Sequence, residues 1–201
     1  MKENFTLDSV VNKEYSNEVL DGSFDYCEVS DSKFFKCSFS DAKFVGLDID
    51  NSLFDMCNLS NMALIDHTYS KLCFKNCNLV GVSFIDSYLT NVEFINCNLR
   101  YSNFSGANLS NVMFDNCNLS DSSFVETKWK KLNFSNSCID NCEFIKTKLD
   151  GLDLSKTEFN SLKIDSSKLK GLILNMNQAL IVTSLLGIKI KNWFDSFFLF
   201  V

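Results

Sequence analysis

The sequence contains no proline, only seven glycines, two tryptophans and a single histidine, His67. One histidine gives little basis for a Ser–His–Asp triad, and we expect His67 to serve coil packing rather than to be a ligand. Neither a zinc spacing such as C-x₂-C nor a glycine-rich phosphate loop is present in the sequence. We therefore expect no enzyme, no cofactor and no metal site.

Other absences bear on location. No run approaches the roughly 18 apolar residues of a membrane span, and residues 1–18 lack an apolar signal-peptide core. Nine cysteines are an odd number, so we expect reduced thiols, a cytoplasmic protein and no membrane partner. The net charge of −6 disfavours direct binding to nucleic acid, because both carry negative charge.

A five-residue period runs through most of the chain. Every fifth residue from Phe24 to Leu174 is aliphatic or aromatic. The residue two before each of these centres is usually small, and the residue two after it is usually Asn, Asp, Gly or Ser. The pattern predicts two inward and three outward side chains per unit, followed by a bend of the chain.

A twenty-residue period is superimposed on this one. The tetrapeptide "NCNL" occurs at Asn76–Leu79, Asn96–Leu99 and Asn116–Leu119. Neither a helix nor a strand repeats in twenty residues, so a larger unit must close on itself once per twenty. Phenylalanines occupy two alternating sets of centres, and we expect two phenylalanine stacks on opposite walls of the core.

The five-residue unit resembles the pentapeptide repeat, and "SGANLSNVMF" (Ser105–Phe114) is close to the family's usual wording. The resemblance implies an all-β solenoid, a right-handed quadrilateral β-helix in which four five-residue faces make one coil. It covers residues 22–174. Residues 1–21 are then either an N-terminal cap or a degenerate first coil, since Phe5, Val10, Tyr15 and Leu20 are five apart in another phase.

Residues 175–201 no longer follow the five-residue pattern. Asn175 and Gln178 resemble a capping box, and Gly187 would end the short helix that follows. The segment "NQALIVTSLLGIKI" resembles the C-terminal segment through which Qnr-type proteins form end-to-end dimers. The alternative is a monomeric apolar cap. The resemblance predicts a dimer interface made by Leu180, Ile181, Leu185, Leu186, Ile188, Trp193, Phe194, Phe197 and Phe198.

Charge is distributed unevenly along the repeat. Residues 23–126 contain 13 acidic and 6 basic side chains, whereas residues 127–174 contain 9 basic and 6 acidic ones. This is either an ordinary solvated surface or an acidic face that engages a basic groove. For the second case we predict a partner-binding set of Asp48, Asp50, Asp55, Asp66, Asp86, Glu93, Asp115 and Asp121.

Length, the uninterrupted repeat and the C-terminal segment are similar to those of Qnr-type quinolone-resistance proteins. That resemblance implies a homodimer that mimics duplex DNA, binds DNA gyrase or topoisomerase IV, and protects it from quinolones or gyrase-directed toxins. The modest acidic excess, absent from the C-terminal third, departs from this pattern and leaves the target open. The alternative is a scaffold protein that binds another protein through an outer apolar stripe or an asparagine ladder. The stripe would contain Val45, Ile65, Ile85, Val125 and Ile145. One ladder would contain Asn76, Asn96, Asn116 and Asn136, and a second, on another face, Asn58, Asn78, Asn98 and Asn118.

Overall fold

A computed structural model of the protein describes residues 9–20, 23–39 and 43–191, with the strands at 23–25 and 43–45 described by backbone alone. Within these described ranges, fifteen short strands, one 3₁₀ turn and one helix follow each other. The elements are β1 (Ser9–Val11), β2 (Glu14–Ser16), β3 (Ser23–Asp25), β4 (Glu28–Ser30), β5 (Lys33–Phe35), β6 (Lys43–Val45), β7 (Asp48–Asp50), β8 (Leu53–Asp55), β9 (Thr68–Ser70), β10 (Cys73–Lys75), β11 (Tyr88–Ile95), β12 (Asn108–Asp115), β13 (Lys128–Ser135), β14 (Cys142–Glu143), β15 (Leu162–Lys163), a 3₁₀ turn (Ser166–Lys168) and α1 (Met176–Leu185).

All described strand pairs are parallel, and from β3 onward the paired residues are twenty positions apart. Phe54 pairs with Phe74, and Phe94 pairs with Phe114. Asn78, Asn98 and Asn118 follow one another in the same way, so the repeated "NCNL" segments stack directly. The chain is therefore a parallel β-solenoid with twenty-residue coils and a single short C-terminal helix, as the period predicts.

The first described coil is one residue shorter than the others. Val10 pairs with Val29 and Tyr15 pairs with Phe34, each nineteen positions on. Val10 and Leu20 are fully buried in the same core as the later centres. The N-terminal apolar residues are out of phase with the later centres because this coil has nineteen residues instead of twenty. The coil nevertheless stacks on the next one. Phe5 lies outside the described residues.

Each coil turns at corners where one residue adopts the left-handed region. These residues lie two after a centre, where the sequence pattern predicts a turn. Most corners are Asn, Asp or Gly, which enter this region at the lowest cost. Others, such as Lys71 and Tyr101, have φ values of 51° and 59°. Hydrogen bonds to neighbouring coils hold the backbone in this conformation and offset its conformational cost.

The core contains the two predicted phenylalanine stacks. In the first, Phe34, Phe54, Phe74, Phe94, Phe114 and Phe134 lie with parallel rings 4.7–5.1 Å apart between centroids. Phe84, Phe104, Phe124 and Phe144 form the second, with centroids 5.0–5.2 Å apart. The two stacks meet edge to face across the core, as between Phe104 and Phe114. Leu64 interrupts the second stack beside a cavity of about 20 Å³.

Helix α1 closes the C-terminal end of the stack. Asn175 and Gln178 form the predicted capping box, and Gly187 has a φ of 74° just beyond the helix. The Gln178 side-chain amide is buried and donates hydrogen bonds of 2.8 Å to the carbonyls of Leu154 and Thr157. These carbonyls lie at the end of the solenoid, so the helix satisfies polar groups that a raw edge would leave unpaired.

Replacing Phe94 tests the contribution of ring stacking. Phe94 is fully buried between Phe74 and Phe114. We expect Phe94→Ala to lower the free energy of unfolding by about 3–5 kcal/mol, because neighbouring coils cannot collapse into the cavity. Urea denaturation measures this. Phe35→Ala, at an outward position that is 39% exposed, is the control and should cost far less. Equal losses would contradict a stacked core.

Tyr69 is an exception within the core. It occupies a centre between Ile49 and Leu89 and is fully buried, yet its hydroxyl has no hydrogen-bond partner among the described residues. Burial, with a smaller contribution from the Asp48 carboxylate, raises the pKa of Tyr69, so the side chain is neutral. An unsatisfied buried hydroxyl destabilises the folded state.

We expect Tyr69→Phe to raise the free energy of unfolding by about 1 kcal/mol, because the mutation removes only the unsatisfied hydroxyl. Thermal or urea denaturation measures the change. Tyr88→Phe, at a side chain that is 54% exposed, is the matched control and should leave stability unchanged. A destabilised Tyr69→Phe variant would mean that the hydroxyl has a partner.

Candidate functional site

One outer face of the solenoid carries opposite charge at its two ends. We call it the polarised face. In-register pairing from β4 through β7, β9, β11, β12 and β13 sets two outward columns along it. With the coil after β13, these columns are Glu28, Asp48, Thr68, Tyr88, Asn108, Lys128 and Lys148, and Ser30, Asp50, Ser70, Thr90, Ser110, Lys130 and Asp150.

The acidic end of the polarised face contains two of the predicted partner-binding residues. Asp48 and Asp50 lie on β7 beside Glu28, around a shallow depression of about 430 Å³. Asp48 accepts a 2.9 Å hydrogen bond from the backbone N–H of Thr68. Asp50 lies 3.6 Å from the ammonium of Lys71. The remaining carboxylate oxygens face solvent and make this end a negative surface.

His67 borders the acidic end and holds the turn beside it. Its Nε2 accepts a 2.9 Å hydrogen bond from the Gly46 N–H, and its Nδ1 lies 4.0 Å from an Asp48 carboxylate oxygen. Gly46 has a φ of 70°, and a Cβ there would lie 2.7 Å from the ring of Tyr26. His67 therefore links two coils. A glycine is required at position 46 because the backbone has a positive φ and because a Cβ would clash with Tyr26.

The basic end surrounds a tryptophan. Trp129 is half-buried in a depression of about 880 Å³ lined by lysines. Two acidic side chains at its rim are paired, Glu126 with Lys146 at 2.6 Å and Asp150 with Lys148 at 3.3 Å. The hydrogen bond from Lys146 lowers the pKa of Glu126. The lysines lining this depression are Lys128, Lys130, Lys131, Lys146 and Lys148. Lys168 and Lys170, which are nearer the C-terminal end, do not line this depression.

On the polarised face the described sheet ends at β13, the strand that contains Trp129. Trp129 occupies the column of Leu89 and Leu109, and its indole is larger than their side chains. Strand β13 pairs with β12 and with no later described strand. Instead, the indole N–H of Trp129 donates a 2.7 Å hydrogen bond to the backbone carbonyl of Lys148. A side chain thus replaces backbone pairing between two coils on this face.

The other predicted acidic residues lie at corners or on other faces, outside the two columns that contain Asp48 and Asp50. Asp66 and Asp86 occupy one corner column, with φ values of 60° and 56°. Glu93 and Asp115 belong to β11 and β12 on the next face. Asp121 lies at another corner, 3.4 Å from Arg100.

Several of these carboxylates have structural partners in asparagine ladders. Asn116 donates to Asn96, Asn96 donates to Asn76, and Asn76 donates to Asp55, with distances of 2.8–3.2 Å. Asp55 therefore ends the predicted ladder. Asn136, predicted to extend the ladder, donates instead to Asp115 at 3.2 Å. In the second predicted ladder, a side-chain bond joins Asn78 to Asn58 at 3.0 Å.

The predicted dimer residues that the structure describes lie on or just after α1. Leu180, Leu185, Leu186 and Ile188 are exposed, while Ile181 is half-buried against the core. Val182 faces the last coil and is buried. Helix α1 therefore buries one side and presents an apolar surface on the other. Trp193, Phe194, Phe197 and Phe198 lie outside the described residues.

Seven of the nine cysteines line the core, and Cys73 and Cys138 are half-exposed. Cys77, Cys97 and Cys117 stack in one column, and each thiol donates to a backbone carbonyl 3.3 Å away. Burial raises the pKa of the Cys142 thiol.

Within the described ranges, no three His, Cys, Asp or Glu side chains are grouped to hold a metal ion. In the same part of the chain, no helix has both the length and the apolar character needed to span a membrane.

The family model of the pentapeptide repeat region matches residues 68–144. Residues 68–144 therefore contain a pentapeptide repeat region, in agreement with the five-residue period. None of the curated proteins compared with the chain matches its sequence.

Solved structures with similar folds have diverse descriptions. QnrB1, a plasmid-mediated fluoroquinolone resistance protein, is 24% identical, with 90% of this chain and 100% of that chain covered and a TM-score of 0.33. HetL, a regulator of heterocyst differentiation in the cyanobacterium Nostoc sp., is 15% identical, with coverage of 87% and 88% and a TM-score of 0.32. A pentapeptide repeat protein from the thylakoid lumen of Arabidopsis thaliana is 16% identical, with coverage of 63% and 71% and a TM-score of 0.33. At these identities and TM-scores, none of the three carries an argument about function.

The predicted site residues omit Trp129 and Glu28, which complete the two ends of the polarised face. A signal for Trp129 exists in the sequence, because a tryptophan at a centre position exceeds the size of its neighbours in the column. Glu28 lies twenty residues before Asp48, so the twenty-residue period alone places the two side by side.

Proposed function

We propose that the protein binds DNA gyrase or topoisomerase IV as a mimic of duplex DNA and protects the enzyme from quinolones or gyrase-directed toxins. In this proposal it acts in the cytoplasm as a binding protein without catalysis of its own. The observation that carries the proposal is a stack of regular coils with carboxylates along its N-terminal half and an apolar helix at its C-terminal end.

Electrostatics supports this mode of binding. Duplex DNA presents about one negative charge per 1.7 Å of its axis, and proteins that bind it offer basic grooves. Glu28, Asp48, Asp50 and Asp66 lie on two successive coils and a neighbouring corner, which gives a compact negative surface. Such a surface steers association with a basic groove and makes it dependent on salt.

The exposed side of α1 supports an end-to-end homodimer. Leu180, Leu185 and Ile188 are 45–53% exposed, and an apolar surface of this kind at the end of a solenoid favours contact with another copy. Joining two C-terminal ends would double the length of the rod and place its two acidic ends outermost.

A scaffold function is the second candidate. Ile65, Ile85, Val125 and Ile145 share one column on a separate face, in which Ser105 lies between Ile85 and Val125. Ile65 is 41% exposed and the other three are half-buried. A protein partner with an apolar strip would fit this column, and gyrase would then play no part.

Charge reversal at the acidic end separates the two candidates. We expect a variant with Asp48→Lys, Asp50→Lys and Asp66→Lys to bind gyrase at least about tenfold more weakly, because like charges would then face the basic groove. Surface plasmon resonance and supercoiling assays with a quinolone measure binding and protection. A variant with Glu143→Lys, Asp153→Lys and Glu158→Lys has the same net charge and is the matched control.

Protection by the native protein at micromolar concentration, lost in the first variant and kept in the control, is the expected result. Absence of protection and of inhibition by the native protein would reject the mimic. Binding that neither variant weakens would favour the apolar column instead.

The homodimer has its own test. We expect Leu180→Asp with Leu185→Asp to give a monomer in sedimentation equilibrium, because charges at both exposed positions would be buried in the contact. The measurement is made at about 1 M salt, where the Debye length of about 3 Å suppresses charge-driven contacts. Met56→Asp with Tyr101→Asp, at exposed positions away from α1, is the control. A native protein that is monomeric under these conditions contradicts the end-to-end dimer.

A further inference from the structure

Apart from Asp150, the order of charge along the polarised face is antisymmetric. Its outward columns begin with Glu28, Asp48 and Asp50, and end with Lys128, Lys130 and Lys148. Asp150, at the end of the second column, is paired with Lys148 of the same chain at 3.3 Å. Between these ends the two columns contain only Thr68, Ser70, Tyr88, Thr90, Asn108 and Ser110, which carry no charge. Asp48 and Lys128 are four coils apart, or about 19 Å at the usual strand spacing of about 4.8 Å.

We propose that the polarised face binds the same face of a second copy of this chain, with the two solenoids side by side and antiparallel. A two-fold axis in the contact plane, parallel to the strands and passing through Tyr88 and Thr90, preserves each column and reverses its order. Asp48 then faces Lys128 of the other copy, since both are forty residues from Tyr88.

The same axis matches the remaining charges except Asp150, which faces Ser30. Asp50 faces Lys130, which is equally distant from Thr90, and Glu28 faces Lys148, which is equally distant from Tyr88. Each pair occurs twice, so the interface contains six pairs of opposite charge. This is an isologous contact, in which one surface is complementary to itself. A parallel arrangement in register would place like charges together and is disfavoured.

The centre of the face suits close contact. Strands β11 and β12 are regular over eight residues, and their outward residues here are small or uncharged. Tyr88 is 54% exposed on the axis and would pack against its own copy. Tyrosine gives a large contact area at little cost in side-chain entropy. An unrelated acidic partner would fit only the lysine end and would meet repulsion from Asp48 and Asp50.

This contact is independent of the proposed function and of the exposed side of α1. It uses the acidic end that we assign to gyrase binding, so the two contacts exclude each other. Self-association is therefore tested on the purified full-length chain without gyrase. The test uses the background Leu180→Asp with Leu185→Asp, which removes the end-to-end contact from the measurement.

Two single-sign variants test the charge pairing. The all-acidic variant contains Lys128→Glu, Lys130→Glu and Lys148→Glu. The all-basic variant contains Glu28→Lys, Asp48→Lys and Asp50→Lys. We expect each alone to associate at least about tenfold more weakly than the background chain, the scale expected when several exposed pairs are lost together. An equimolar mixture of the two should form a heterodimer, because every facing pair is then opposite in charge.

Sedimentation equilibrium between about 0.01 M and about 1 M salt measures the association, since the Debye length falls from about 30 Å to about 3 Å over this range. A variant with Lys36→Glu, Lys75→Glu and Lys156→Glu matches the net charge of the all-acidic variant on other faces, and should associate as the background does. Circular dichroism checks the fold of each variant. Association that does not weaken with salt, a background chain that stays monomeric, or a mixture that forms no heterodimer would overturn the proposal.

Cross-linking tests the position of the axis. In a chain whose half-exposed Cys73 and Cys138 are changed to Ser, we expect Tyr88→Cys to form a disulfide with its own copy on mild oxidation at low salt. The reaction should be lost at high salt. Asn98→Cys, exposed on a different face, is the matched control and should remain monomeric. Equal cross-linking at both positions would contradict the antiparallel contact.

Discussion

The structure depends on vertical registration, in which each residue lies over the one twenty positions earlier. Backbone hydrogen bonds between coils set this registration, and the phenylalanine stacks enforce it from inside. Rings 4.7–5.2 Å apart match the spacing of parallel strands, so stacking and strand pairing favour the same geometry. Because the coil repeats without change, outward residues also fall into columns. Every surface property of the protein follows from that fact, including the asparagine ladders and the polarised face.

Much of the fold could be predicted from the sequence because the repeat fixes which residues of different coils are neighbours. The five-residue period identifies which side chains of Phe74 or Leu79 point inward, and the twenty-residue period identifies their neighbours. The capping box of Asn175 and Gln178 is a local signal of the same kind. The hydrogen bonds from Gln178 to the last coil could not be predicted, since they depend on how α1 lies across the end of the stack.

The candidate site was harder to predict, because charge counts along the chain do not assign faces. Asp55 and Asp115 were grouped with Asp48 by charge, yet they lie on another face and accept hydrogen bonds from Asn76 and Asn136. The polarised face becomes visible only when residues are sorted by column. Trp129 was missed because the pattern treats all large apolar centres alike, whereas an indole does not fit a leucine slot.

Helix α1 and the polarised face give the rod two different kinds of surface, one apolar at the end and one charged along the side. Contact through the first would be insensitive to salt and contact through the second would be sensitive to it, so with both proposed contacts ionic strength would select which one dominates. A protein that used both surfaces would change its assembly without any change of fold.

The indole that replaces strand pairing at Trp129 has an optical consequence. Tryptophan emission shifts to the red when the ring becomes hydrated, and the N–H of this ring links two coils of the polarised face where no described strand pairs with β13 on its C-terminal side. With the only other tryptophan, Trp193, changed to Phe, fluorescence would report the parting of the C-terminal coils from the rest of the stack. The solenoid thus contains its own spectroscopic probe of stepwise, coil-by-coil melting.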